Sequence, residues 1–152
     1  MITIKNRQRK ISINIEKLTH NTQILLDALD YSDYDVGILL TTNKSIREYN
    51  YTYRKKDKPT DILSFPFYPE LAAGKRIKPT TDDDKNLGDM IISLEYVKKA
   101  AHELGVSLES RLEVLLVHGI CHLLGYDHIE DKDYKIMHKK ELYLLKILRS
   151  RY

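Results

Sequence analysis

A chain of 152 residues, 42% hydrophobic and 31% charged, is long enough to bury one core and has the profile expected of a soluble globular protein. Its net charge of +3 is only mildly basic, which excludes a polycationic tail or arm as the main feature. A single cysteine, Cys121, excludes an internal disulfide framework, and no apolar run reaches membrane-spanning length.

Met1 to Ile4 alternates apolar and polar residues and predicts a short strand. Ile15 to Leu29 carries Leu18, Ile24, Leu25 and Leu29 at helical spacing. Val36 to Thr41 is a compact apolar run and predicts a buried strand. Asn43 is expected to cap a helix running to about Arg54. Ile62 to Tyr68 is strand-like, and Pro66 assigns it to an edge. Residues 69–86 are polar, with Gly74, Pro79 and the run Asp82-Asp83-Asp84, and predict a long flexible loop.

Leu87 to Ile92 is the next strand. Ser93 is placed to cap a helix whose apolar stripe is Leu94, Val97, Ala101 and Leu104, with Gly105 as its stop. Ser107 is placed to cap another helix, running to about Leu124 and apolar on most faces, as a buried central helix is. The last helix begins near Glu130, Asp131 and Asp133, and packs through Tyr134, Met137, Leu144, Leu145 and Leu148. Strands early and helices late, with no repeat, predict one α+β domain over residues 1–152. Met1 to Lys10 contains no apolar signal core, so a cytoplasmic location is expected.

The central helix carries the chemistry. His118 and His122 are four apart and project from one face, one turn above the other. Gly125 can end the helix in the left-handed conformation, which lets the chain return His128 to the same point. Three neutral imidazoles with a fourth position left to water or substrate describe a catalytic zinc site. His20, His102 and His138 stand alone on predicted helices and are expected to face solvent.

The spacing His-x-x-x-His-x-x-Gly-x-x-His matches the ligand set of metzincin peptidases. Those enzymes place a glutamate directly after the first histidine as general base, and here that position is Gly119. Asp127 is either an outer partner orienting an imidazole or a turn residue. Cys121 points partly away from His122 around the helix and is expected to be a small buried hydrophobe rather than a ligand.

Basic residues cluster at Arg7, Arg9 and Lys10, at Arg54 to Lys58, at Lys75, Arg76 and Lys78, and at Arg149 and Arg151. Such patches attract polyanions, although each alone reads more simply as solvated surface. Arg54, at a helix end, suits bidentate phosphate recognition and equally complements a helix dipole.

The His118 to His128 string, the stretch Asn50 to Pro66 and Leu87-Gly88-Asp89 together resemble the YbeY family of bacterial metal-dependent endoribonucleases, or rRNA maturation factors. The resemblance runs from about Val36 to His128, with Cys121 departing from the aliphatic residue usual there. It implies a zincin-like fold, a small mixed sheet of about four strands flanked by helices. It implies zinc on His118, His122 and His128, with Arg54 as the functional arginine. It also implies single-stranded RNA as substrate, in maturation of the small-subunit rRNA 3′ end and ribosome quality control, with the ribosome as partner and no membrane. Two alternatives stand beside it: a zinc peptidase, weakened by Gly119, and a non-catalytic ribosome assembly protein with a structural metal.

Overall fold

A computed structural model describes residues 1–151. The elements are β1 (Ile2–Asn6), α1 (Ile15–Ala28), β2 (Asp35–Thr41), α2 (Asn43–Arg54), β3 (Ile62–Pro66), β4 (Asn86–Ser93), α3 (Leu94–Leu104), α4 (Leu108–Leu123) and α5 (Asp131–Arg149). The strands form one sheet in the order β1-β2-β4-β3. β1, β2 and β4 run parallel, and β3 joins β4 antiparallel at the edge. This is the expected α+β arrangement, a mixed sheet of four strands flanked by helices.

Alternation along the strands sends Val36, Ile38 and Leu40, together with Met90 and Ile92, to one face of the sheet. There they meet Leu18, Leu25 and Leu26 of α1 and Leu116, Ile120 and Leu123 of α4. α4 is thus the central buried helix its composition predicts. The opposite face is covered only at one end, where Ile46 of α2 packs with Leu63 and Ile91. Pro66 lies on an edge strand, as expected, where its missing N–H costs no ladder bond.

Four expectations need correction. Thr42, not Asn43, caps α2, accepting the Ser45 N–H at 3.3 Å. Asn43 lies inside the first turn, where its carbonyl oxygen Oδ1 accepts the Ser93 hydroxyl at 2.7 Å. β3 stops at Pro66 instead of reaching Tyr68. Leu104 is 60% exposed at the last turn of α3, and Tyr134 is 54% exposed and stacks on His138 instead of entering the core.

The segment from 69 to 86 is an ordered strap. Arg76 lies 4.0 Å over the Tyr31 ring and donates to the Leu29 and Asp30 carbonyls. Ile77 is buried, and the Tyr68 hydroxyl donates to the Asp84 carbonyl. The aspartate run forms a 3₁₀ turn, Asp82–Asp84. Polar composition hid these ties because each reaches a residue distant in sequence.

Candidate metal centre

α4 begins where Ser107 accepts the Ser110 N–H at 3.0 Å. Its buried face anchors it against the sheet, so His118 and His122 ride on a rigid support. Gly119 explains how close the helix lies. A Cβ there would sit 2.5 Å from the Met90 sulfur and 2.7 Å from Ile62 Cδ1. A side chain here would require the ends of Met90 and Ile62 to shift, and with glycine in place the peptidase base is absent.

The helix closes in a Schellman motif. Gly125 adopts φ 90°, its N–H donates to the His122 carbonyl at 3.1 Å, and the Tyr126 N–H donates to Cys121 O at 3.1 Å. The chain turns back, and the three ring systems converge, with centroids 4.5, 5.2 and 5.6 Å apart. One ligand nitrogen from each of His118, His122 and His128 lies within 4.8 Å of the others. The strap seals this turn. A Cβ on Gly125 would fall 2.1 Å from the Leu71 carbonyl oxygen.

Two acceptors orient the rings. His118 Nδ1 lies 2.9 Å from Glu141 Oε2, and His122 Nδ1 lies 2.9 Å from the Tyr126 carbonyl. A carboxylate and a carbonyl accept only, so both Nδ1 atoms carry the proton and both Nε2 atoms present lone pairs. Those Nε2 atoms stand 3.0 Å apart. Two lone pairs so close repel each other unless a cation lies between them. Tetrahedral coordination with metal–nitrogen bonds of about 2.0–2.1 Å sets nitrogens roughly 3.3 Å apart, so the spacing fits a metal.

Burial, then the neighbouring His118, lowers the His122 pKa from 6.5 to about 4, which keeps the ring neutral and ready to ligate at neutral pH. Burial raises the Cys121 pKa to about 12, so its thiol stays protonated inside the core, a buried hydrophobe as expected. Asp127 accepts the Ile129 N–H at 3.3 Å and is a turn residue; Glu141 fills the orienting role considered for it. His20, His102 and His138 are exposed, as expected.

A cleft of about 500 Å³ opens beside His122, lined by Pro66, Tyr68, Leu71, Tyr126 and Asp133 among others. Arg54 stands outside it. Ile62 and Ser64 of β3 face Gly119, whereas Leu63 and Phe65 face α2. Arg54 ends α2, whose Ile46 packs on that far side of the sheet; it is exposed and, among the described residues, without an ion pair or hydrogen bond. The three histidines were legible from their spacing. Glu141 was not, because nothing local marks a glutamate on a surface helix as the partner of a histidine 23 positions away.

A family model described as Endoribonuclease YbeY matches residues 3–149. A human protein named Endoribonuclease YbeY is 37% identical over 150 residues, covering 99% of this chain and 89% of its own. An Aquifex aeolicus protein of the same name is 42% identical over 127 residues, covering 84% and 77%. The solution structure of TM1509 from Thermotoga maritima superposes with a TM-score of 0.66 at 26% identity, over 99% of this chain and 91% of that one.

Proposed function

Because the chain belongs to the Endoribonuclease YbeY family, we propose that it is a metal-dependent endoribonuclease that cuts single-stranded RNA during rRNA maturation, including the small-subunit 3′ end. The observation that carries the metal dependence is the pair of proton-fixed imidazoles whose Nε2 atoms face each other at 3.0 Å, with His128 completing the set. An all-imidazole donor set suits Zn²⁺, at about one ion per chain. Bound there, the ion supplies Lewis acidity at a phosphoryl oxygen.

The protein's own groups do the rest. His118, His122 and His128 hold the ion, while Glu141 and the Tyr126 carbonyl keep two of the rings in the ligating tautomer. Arg54, with no internal anion to satisfy, presents its guanidinium fork to a phosphate of the strand and offsets charge gathering there. We assign Arg54 this catalytic role, place the activity in the cytosol and take the small ribosomal subunit as partner.

Purified protein should contain about one zinc per chain and cleave unstructured RNA. Arg54→Ala should cut the rate by about 100-fold or more while zinc stays bound, in line with loss of one charge-stabilising group. Equal cleavage by Arg54→Ala would remove it from the mechanism. Zinc-loaded protein that binds ribosomal subunits and cleaves no RNA would favour a non-catalytic assembly role.

A further inference from the structure

We propose that the uncovered face of the sheet is a base-reading subsite for single-stranded RNA. Asp89 accepts the N–H donors of a base seated in the hollow beside it, and Tyr49, Tyr53 and Phe65 stack its neighbours. The inference rests on the nuclease reading and names where the strand lies before it reaches the imidazoles.

A hollow of about 740 Å³ lies on the side of the sheet away from α4, bordered by Lys5, Arg7, Gly37, Tyr49 and Asp89 among others. The strand register sets Thr3, Gly37, Asp89 and Phe65 in one row across the sheet. Gly37 leaves a gap in that row, and Asp89 leans into it, with Oδ1 2.1 Å from where a Cβ would stand. The Asp89 carboxylate is exposed and, among the described residues, accepts no hydrogen bond. Both oxygens are thus available to a ligand.

Beside this acceptor stands an aromatic ladder. Tyr49 and Tyr53 are nearly parallel, 11° apart in plane with centroids at 6.5 Å, and Tyr53 meets Phe65 edge-on at 5.0 Å. Tyr53 is 63% exposed. Tyr49 and Tyr53 stand exposed on α2 and Phe65 is half-buried on β3; exposed aromatic rings of this kind stack unpaired bases.

The charges select a polyanion. Among the described residues, Lys5 on the edge strand and Arg7 just past its end form no ion pair, and Arg54, Lys55 and Lys56 continue the cationic border past Tyr53. The acid at the mouth, Asp35, is already ion-paired to the Met1 amine at 2.7 Å. In the other basic clusters Arg149 pairs with Glu113 and Arg76 lies over Tyr31, while Lys10, next to Arg7, pairs with Glu95.

The hollow opens beside Asn86, at the end of the sheet where Pro66 pairs with Gly88. Pro66 also lines the cleft at His122, so a strand leaving the hollow rounds β3 toward the imidazoles. A carboxylate accepts and never donates, and its two oxygens match the adjacent N1–H and N2–H of guanine better than the single donor of the other bases. Guanine is therefore the preferred occupant.

The test is fluorescence anisotropy of metal-loaded protein with short unstructured RNAs, all-adenine or with guanine interspersed, read before cleavage. The Tyr49→Ala/Tyr53→Ala double variant should bind both RNAs about 10-fold or more weakly, and Tyr53→Phe should bind as wild type, because stacking needs the ring and not the hydroxyl. Asp89→Asn should abolish the guanine preference and leave all-adenine binding within about two-fold, since only the base-edge contact changes. Lys5→Ala and Arg7→Ala should each lower the salt slope by about one. Circular dichroism and metal content confirm that each variant is folded and loaded. Wild-type affinity in every variant, from protein that still cleaves RNA, overturns the subsite and leaves the nuclease intact. Equal loss of both RNAs in Asp89→Asn overturns base reading. Wild-type protein that neither binds nor cleaves RNA overturns the nuclease reading itself.

Discussion

Glu141 reaches His118 across the α4–α5 contact and is, among the described residues, the one side-chain carboxylate hydrogen-bonded to the three converging imidazoles. Glu141→Gln keeps the shape but offers an amide where His118 Nδ1–H needs a strong acceptor. Metal affinity, measured by chelator competition, should fall about 10- to 100-fold with secondary structure unchanged. His122 makes a separate statement about pH. Its folded pKa of about 4 lies below the 6.5 of a free imidazole, so the unfolded chain takes up the proton first as pH falls. Metal-free protein should therefore lose stability as pH drops from 6.5 toward 4, and His122→Ala should flatten that dependence in a thermal melt series. A melting temperature independent of pH across that window would contradict the burial assigned to this ring.

The end of α4 is an element that works through one backbone conformation. Gly125→Ala puts a Cβ both at φ 90° and onto the Leu71 carbonyl, so it should destabilise the fold by about 1–3 kcal/mol and weaken metal retention by re-aiming His128. Denaturant midpoints and metal content measure the two effects separately. This helix was also the most readable part of the sequence. Ser107, the apolar run, the four-residue step and Gly125 are all local signals, and local signals survive without neighbours. The engagement of Asn43 by Ser93, the role of Glu141 and the close packing at Gly119 depend on residues from other elements. No window of sequence around Gly119 contains Met90 or Ile62, so the missing glutamate was visible and the close packing was not.

The whole molecule divides its work between the two faces of one sheet. The face under α1 and α4 holds the core and the imidazoles; the other is left half bare beneath α2. The three converging rings come from α4 and the turn after it, and α5 supplies Glu141 behind His118, so an ion held there would tie the C-terminal third together. At free zinc 100 times above its dissociation constant, binding to the folded state alone adds about 2.7 kcal/mol. A chelator should accordingly lower the melting temperature by several degrees, and zinc should restore it. An unchanged melt would mean that the three rings hold no ion. The strands and the edge position of β3 were legible from apolar patterning and Pro66, and the mixed sheet from the family resemblance; the order β1-β2-β4-β3 was not, because pairing joins residues distant in sequence. Nor was the bareness of one face, because alternation of Thr3, Lys5 and Arg7 against Ile2 and Ile4 shows which residues avoid the core and not whether a helix covers them.

The Leu71 carbonyl over Gly125 joins two stretches that otherwise share no ligand: the strap and the turn that aims His128. A protease has its easiest purchase at the exposed bend from Ala72 to Lys75. One cut there would release the lid over the glycine, and a nicked molecule would then surrender its zinc with every histidine still in place. Resistance to digestion should thus report on metal loading as faithfully as a spectrometer does.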